Sequence, residues 1–295
     1  MNQNLRPKKA NMRYKNAQLK GFLLLFALFL GFQSHASPCR SLIQKAFNLL
    51  QINRDSAYFY ANQGLTIAQF EENDTLIGMA LMVRGEALFK LGKFELARED
   101  FKRRQELSQL NAQHAPEARA FMWVGETYLS QDSFQPAVLN FEAALKHWEA
   151  AQNKGEMAMA WMRKGKAIER SENRQKAREA YSEALKIARK AELKEETALA
   201  HQYLGFISLD MEKTDLALQH LRNALVNFEA TGNEQERAVC LKGLTEVHLA
   251  EKKYHIAQEY AEEGLKVAQE AGSRGLTMDF YQLLGDIMAG MDDFE

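Results

Sequence analysis

The sequence predicts an all-α protein, a right-handed α-solenoid made of helix-turn-helix repeats. Alanine recurs every 40 residues from Ala57 to Ala257, and glycine recurs at the same interval from Gly85 to Gly205. Sequence periods of about 20 to 50 residues are typical of solenoids and other repeat arrays. Only 4 of the 295 residues are proline, and Ala, Leu, Glu, Lys and Gln are abundant, which favours helix over strand.

The first 36 residues have the organisation of a signal peptide. Six basic residues and no acidic residue accompany the apolar run from Gly21 to Phe32, and Ser34-His35-Ala36 precedes a cleavage site at Ser37. The apolar run is short for a membrane span, which needs about 20 residues. We therefore expect export to the periplasm or the medium, with an uncleaved membrane anchor as the alternative.

The rest of the chain divides into repeat units. Residues 37–77 are a divergent first unit, 78–277 hold five units of 40 residues, and 278–295 start an incomplete seventh unit. A divergent terminal unit is what the capping of a repeat array requires. The incomplete last unit would expose the apolar face of its helix, so the sequence predicts either self-association there or a longer natural chain.

The unit at 78–117 shows how one repeat is organised. Leucines at helical spacing from Leu81 define a first helix, which a break at Gly92-Lys93 ends. A second helix opens near Phe94, and its apolar stripe has the spacing of one helix face. The segment from Asn111 to Pro116 is predicted to interrupt the chain before the next unit.

The recurrent small residues are predicted to let the two helices of a unit approach closely. Gly85 on the first helix and Ala97 on the second suit such a crossing, and large residues such as Leu81, Phe101 and Tyr128 would fill the space around it. Glycine inside a helix costs about 1 kcal/mol relative to alanine, so its recurrence indicates a packing requirement. The same role is predicted for Gly125, Ala137, Gly165, Ala177, Gly205, Ala217, Ala257 and Gly285.

The best single unit resembles the tetratricopeptide repeat family. Trp123-Val124-Gly125 and Tyr128 match the first-helix pattern, and Ala137 and Phe141 match the second. The resemblance runs from about residue 41 to the C-terminus, and the 40-residue period is similar to the longer subtype of adaptor and bacterial signalling proteins. It implies that the first, or A, helices line a concave groove that binds a protein or peptide.

The resemblance places candidate groove residues on successive A helices by register. They are Met82, Glu86, Phe89, Met122, Glu126, Leu129, Met162, Lys166, Glu169, Gln202, Phe206, Leu209, Lys242, Glu246 and Leu249. The three methionines would form an adaptable apolar stripe, and packing against the adjacent repeat is the alternative. Glu86, Glu126 and Glu246 disfavour capture of a carboxylate at their positions, so we expect a partner with apolar and basic character.

Other function classes are disfavoured by composition and motifs. Without the six basic residues of the leader, 32 basic and 39 acidic residues remain, and a net charge of −7 does not suit nucleic acid. The seven histidines form no metal-ligand pattern, and no cofactor is expected. No nucleophile elbow, phosphate-binding glycine loop or paired-carboxylate motif is present, which disfavours an enzyme. The two cysteines, Cys39 and Cys240, are not expected to pair, and Cys240 is expected to be a small buried hydrophobe.

The sequence therefore predicts a non-catalytic scaffold that binds a protein or peptide outside the cytoplasm. A signal segment followed by such repeats is similar to the sensory part of bacterial signalling proteins, a role implied by resemblance alone. A stand-alone periplasmic or outer-membrane assembly adaptor is the alternative, and an enzyme is the less favoured one.

Overall fold

The computed structural model describes residues 37–292, and every regular element in this range is an α-helix. The predicted all-α class is therefore confirmed. The predicted signal peptide and the last three residues lie outside the described residues. The helices are α1 Pro38–Leu49, α2 Arg54–Phe70, α3 Asp74–Lys90, α4 Phe94–Leu110, α5 His114–Leu129, α6 Phe134–Ala150, α7 Lys154–Arg170, α8 Arg174–Lys190, α9 Lys194–Asp210, α10 Thr214–Thr231, α11 Glu234–Ala250, α12 Tyr254–Glu270 and α13 Arg274–Asp292.

The helices form antiparallel hairpins in two compact units, one ending at Arg103 and the other beginning at Arg104, both within α4. In the first unit, α2 packs against both α1 and α3. In the second, α5–α6, α7–α8, α9–α10 and α11–α12 are hairpins, and each even-numbered helix also packs on the next odd-numbered one. We call the odd-numbered helices A and the even-numbered helices B. From α3 onwards the A helices start 40 residues apart, at Asp74, His114, Lys154, Lys194, Glu234 and Arg274.

From α2 onwards, short loops with one residue in the left-handed backbone conformation separate the helices. Gly92 has φ 73°, and its loop is closed by the Lys93 amide, which donates to the Leu88 carbonyl oxygen at 2.9 Å. Ala112 and Asp132 adopt the same conformation at φ 50° and 55°, although both carry a Cβ. Asparagine side chains cap the starts of the following helices by accepting a backbone N–H. These are Asn53, Asn73, Asn153, Asn173 and Asn233.

The predicted interruption at Asn111–Pro116 is shorter in the structure. Helix α5 already begins at His114, and Pro116 lies in its first turn. Proline is tolerated there because the first amides of a helix have no intrahelical partner, so the missing N–H removes no bond.

The glycines leave room for a large side chain of the second helix. At Gly85 a Cβ would lie 2.5 Å from Cε1 of Phe101, one of the large residues expected around the crossing of Gly85 and Ala97. Gly125 faces Phe141 in the same way, and Gly165 faces Tyr181. Gly205 likewise faces Leu221. The repeated alanines are fully buried beside these contacts, at Ala97, Ala137, Ala177, Ala217 and Ala257.

Gly285 departs from this pattern. A Cβ added at Gly285 would have no neighbour within 4 Å outside the adjacent turns of its own helix. The residue is also exposed. That Gly285 serves a helix crossing stays a prediction, since the second helix of its unit would follow residue 292. Its exposure follows from the absence, among residues 37–292, of a B helix packed on α13 at this register.

Candidate functional site

In the first unit, the predicted groove residues Met82, Glu86 and Phe89 lie half-buried on α3. The ring of Phe89 packs edge-to-face on Phe94, with centroids 5.4 Å apart. These side chains are partly accessible, so the structure leaves room for a ligand contact at each of them. None of the three is held in a fully buried position.

Arg84, also on α3, anchors the polar side of this unit. Its guanidinium donates to both carboxylate oxygens of Asp100, at 2.7 and 2.5 Å, and to Oδ1 of Asn62 at 2.7 Å. The carboxylate is almost fully buried and raises the pKa of Arg84 above its usual value. This contact is structural, because it ties α2, α3 and α4 together.

In the second unit, polar contacts join neighbouring A helices. Arg163 Nε of α7 lies 3.3 Å from Glu126 Oε1 of α5. Gln202 Nε2 of α9 donates to Glu236 Oε2 of α11 at 2.9 Å, and Lys242 Nζ of α11 lies 2.6 Å from Asp279 Oδ2 of α13. We call these six residues the polar seam. Three of the predicted groove residues, Glu126, Gln202 and Lys242, therefore contribute to contacts between repeats.

The charged end of the seam lies around Glu126. Burial raises the pKa of this carboxyl, while the positive charges of Arg163 and Lys166 lower it in part. Glu126 Oε1 has an ion-pair neighbour but no aligned hydrogen bond within the described chain. Because Oε1 is itself buried, the carboxylate offers a ligand its negative charge rather than an accessible hydrogen-bond acceptor.

An aromatic pair lies beside these charges. The ring of Tyr203 stacks on Tyr181 with centroids 5.0 Å apart, and the Tyr181 hydroxyl donates to Glu169 Oε2. Burial is the main cause of the raised pKa of Tyr203, which also responds to the charges of Arg163 and Glu126. Both rings are therefore neutral at physiological pH. We call Glu126, Arg163, Lys166, Glu169 and Tyr203 the central patch.

Several predicted groove residues are not available to a ligand. Met162 is 1% exposed and belongs to a core cluster with Tyr181 and Ala200. Leu129 and Gln202 are 4% and 5% exposed, so these two side chains also lack a ligand-accessible surface. The prediction of a continuous, ligand-facing methionine stripe is therefore wrong at Met162, because the next hairpin covers that side chain.

The other predicted positions keep part of their surface. Lys166 is exposed, and Met122 is half-buried between two core clusters. Phe206 is half-buried and contacts the Gly243 backbone region, where a Cβ would lie 3.0 Å from its ring. Burial raises the pKa of Glu246, an effect that Lys242 opposes. Accessible groove positions thus alternate with structural ones.

The structure also assembles clusters that the sequence reasoning missed. Three possible metal-ligand atoms lie within 4.8 Å of one another. They are one ring nitrogen each of His114 and His147 and one carboxylate oxygen of Glu117. The spacing of His114 and Glu117, three residues apart on one helix, was the available signal, but nothing in the sequence placed His147 beside them. A second cluster is the pair His201 and His220, whose Nδ1 atoms are 2.9 Å apart.

An open groove of about 770 Å³ lies elsewhere in the second unit, among α7, α8, α9 and α10. Its lining includes Trp161, Lys164 and His220, and Lys164 Nζ lies 4.5 Å from the Trp161 ring centroid. The same lysine pairs with Glu142 at 2.8 Å. The groove mixes apolar side chains with side chains of both charges.

Both cysteines are buried and unpaired. Burial raises the pKa of Cys39 to about 11 and that of Cys240 to about 12. These thiols are inert at neutral pH, because the thiolate is the reactive form. The expectation that Cys240 packs as a small hydrophobe is confirmed by its complete burial. Among residues 37–292, no helix has both the length and the apolar character that crossing a bilayer requires.

Comparison with solved structures places this fold among proteins with tetratricopeptide-like repeats. A Rap protein complexed with competence and sporulation factor superposes with a TM-score of 0.64 at 17% identity, over 95% of this chain and 83% of that one. Aspartyl phosphate phosphatase F from Bacillus subtilis gives 0.63 at 11% identity, over 85% and 70% of the two chains. The tetratricopeptide-like repeats of a putative kinesin light chain from Podospora anserina give 0.57 at 14% identity, over 68% and 100%.

These likenesses concern the fold, because the identities are low. No protein family model matches the chain, and no curated protein matches it in sequence. The helix-turn-helix repeat class predicted from the sequence is nevertheless confirmed by both the helix pairing and the structural neighbours.

Proposed function

We propose that this chain is a non-catalytic scaffold that binds a protein or peptide across the A helices of its second unit. The central patch is the observation that carries the proposal. It combines a mostly buried carboxylate at Glu126, exposed positive charge at Lys166 and the stacked ring of Tyr203. Mixed charge beside an aromatic surface is typical of a recognition surface rather than of a catalytic pocket.

The partner that fits this surface is a segment with apolar side chains and at least one basic residue. The negative charges of Glu126 and Glu169 favour a cation, and Tyr203 offers a face for apolar or cation–π contact. The structural neighbour complexed with competence and sporulation factor supports a repeat surface of this class as a binding surface.

The binding proposal is tested with a displayed library of random peptides. Peptides that combine basic and apolar residues are expected to be enriched and to bind the purified protein in fluorescence anisotropy. Glu126→Gln should weaken a selected peptide about tenfold, because it removes the charge that faces the ligand. Lys166→Glu should strengthen the same peptide, since it removes a like charge.

Lys176→Glu is the matched control, because Lys176 is an exposed lysine on the B helix α8. It should leave the affinity unchanged. Failure to enrich any peptide, or equal affinities of the Glu126 and Lys176 variants, would show that the central patch is not the binding surface.

The proposal includes export from the cytoplasm, supported by the charge and hydropathy pattern of residues 1–36. The intact mass of the protein isolated from its own cells tests it. A mature chain starting at Ser37 supports export, whereas a chain retaining Met1 in the cytoplasmic fraction contradicts it. An exported sensory scaffold and an assembly adaptor are both consistent with the same surface.

We also propose self-association through α13. Met278, Tyr281 and Met288 are 71%, 58% and 57% exposed on this helix. A second copy would remove this apolar surface from water. Sedimentation should show a dimer that Tyr281→Lys dissociates, and a monomer at every concentration would refute it.

A further inference from the structure

His114, Glu117 and His147 converge at one end of the α5–α6 hairpin. Nδ1 of His147 lies 3.2 Å from Oε2 of Glu117, and a ring nitrogen of His114 completes a set of three ligand atoms within 4.8 Å. In a tetrahedral zinc site with bonds of about 2.0–2.2 Å, neighbouring ligand atoms lie roughly 3.3–3.6 Å apart. Two imidazoles and one carboxylate are therefore already close to a metal-binding arrangement.

The surroundings hold these groups in place. Gln109 Nε2 donates to the other carboxylate oxygen, Glu117 Oε1, at 2.9 Å, and the Glu117 side chain is only 6% exposed. The ring of Phe121 stacks on His147 at an interplanar angle of 17° and a centroid distance of 5.4 Å. A hydrogen-bonded carboxylate and a stacked imidazole are the kind of outer contacts that orient metal ligands.

Access and local field also suit a cation. His114 is exposed at the start of α5, so an ion can reach the site from solvent. His147 lies in the last turn of α6, where the helix carbonyls favour positive charge. The negative end of α6 thus offsets the positive end of α5, which by itself would repel a cation. The Glu117 carboxylate adds the formal negative charge that a divalent ion requires.

We propose that His114, Glu117 and His147 form a binding site for a divalent transition-metal ion, with zinc as the best match to the ligand types. Mixed imidazole and carboxylate ligands suit zinc, cobalt and nickel better than calcium or magnesium, which prefer oxygen alone. Three protein ligands leave a fourth position for water or for a side chain of a bound partner. The site is independent of the peptide-binding proposal.

The alternative arrangement is a plain ion pair between protonated His147 and Glu117, with His114 as a neighbour. The two interpretations differ in their response to metal. An ion pair needs no metal ion, whereas a metal site binds one equivalent of zinc.

The test is isothermal titration of zinc chloride into the full chain without a histidine tag, at neutral pH. We expect one zinc ion per chain, competed by cobalt. The cobalt complex should show visible absorption bands of the intensity typical of four-coordinate ions. Absence of saturable zinc binding to the wild-type protein would overturn the proposal.

Variants identify the ligands. His147→Gln and Glu117→Gln should each weaken zinc binding about 100-fold or more, and Gln109→Ala should weaken it about tenfold through loss of orientation. His255→Gln, which changes an exposed histidine on α12, is the control and should bind zinc as the wild type does. Unchanged zinc affinity in folded His147 and Glu117 variants would place the ion elsewhere and refute the site.

Folding is checked separately in metal-free buffer by circular dichroism. If His147→Gln does not fold, the Glu117 and Gln109 variants and the cobalt spectrum of the wild-type protein still decide the question. A cobalt spectrum without four-coordinate bands would count against the proposal.

Discussion

Replacing Gly125 with alanine introduces a methyl group against an aromatic ring that is enclosed on all sides. A Cβ would lie 2.6 Å from Cε1 and 2.9 Å from Cδ1 of Phe141, about 1 Å closer than the usual contact of about 3.5–4.0 Å between carbon atoms. Phe141 is 0% exposed, so the ring cannot swing into solvent. The added methyl must therefore displace the ring or separate α5 from α6.

The expected magnitude follows from two opposing effects. Overpacking of a core by one methyl group costs about 1–3 kcal/mol, and replacing glycine by alanine inside a helix gains up to about 1 kcal/mol. Gly125→Ala should therefore lower the free energy of unfolding by about 1–2 kcal/mol. Gly285→Ala makes the same change at the same register of α13, where no neighbour lies within 4 Å. It should raise the local stability by about 0.5–1 kcal/mol.

The assay is urea unfolding combined with native-state hydrogen exchange, because repeat arrays can open in parts and a single midpoint is then not well defined. Exchange of the α5 and α6 amides should become faster in Gly125→Ala, whereas the α13 amides should be better protected in Gly285→Ala. The double variant Gly125→Ala/Phe141→Leu should recover part of the loss. Stabilisation by Gly125→Ala, or equal effects at the two glycines, would refute the packing explanation.

Three further predictions rest on individual residues. Ala112 has φ 50°, a left-handed conformation that a Cβ disfavours, so Ala112→Gly should stabilise the protein by about 1 kcal/mol in urea unfolding. Gly92→Ala places a Cβ at φ 73° and should destabilise the protein by a similar amount. Burial lowers the pKa of His201 to about 4, so below about pH 6.5 the unfolded state binds a proton that the folded state does not. Stability should therefore fall by about 1 kcal/mol between pH 7 and pH 5.5, and His201→Leu should reduce this loss in thermal unfolding measured across that range. Arg84→Ala should lower the free energy of unfolding in urea by about 3 kcal/mol, because it leaves the carboxylate of Asp100 buried and unpaired. A loss below about 1 kcal/mol would show that solvent compensates the charge of Asp100.

The repeat pattern was sufficient to predict the hairpins, because a fixed interval of small and aromatic residues is a local property of the chain. It indicated that large residues such as Phe101 surround the crossing, but it did not single out the one that lies against each glycine. Gly85 faces Phe101, sixteen residues later. Spacing gives the face of a helix on which a residue lies, whereas the contact also depends on the rotation of the second helix, which the pattern does not specify.

The same distinction explains the outcome at the candidate groove. Lys166 and Met162 both lie on α7, yet Lys166 is exposed and Met162 is covered by the following hairpin. Burial of an A-helix position is decided by the side chains of the next repeat, which register alone does not supply. The cluster around Glu117 was missed for a related reason, since its third member, His147, comes from the other helix of the hairpin.

The polar seam has a consequence for how a ligand could bind. Residues such as Gln202 and Lys242 already use their hydrogen-bonding groups on Glu236 and Asp279, so a ligand that engaged them would have to replace an existing contact. Such replacement yields little net free energy, because one hydrogen bond is exchanged for another. Glu126 differs, since its Oε1 has a charged neighbour but no aligned hydrogen bond. Oε1 is itself buried, so Glu126 attracts a basic ligand by its charge and no hydrogen bond has to be exchanged. This is the physical reason to expect binding energy at the central patch rather than along every A helix.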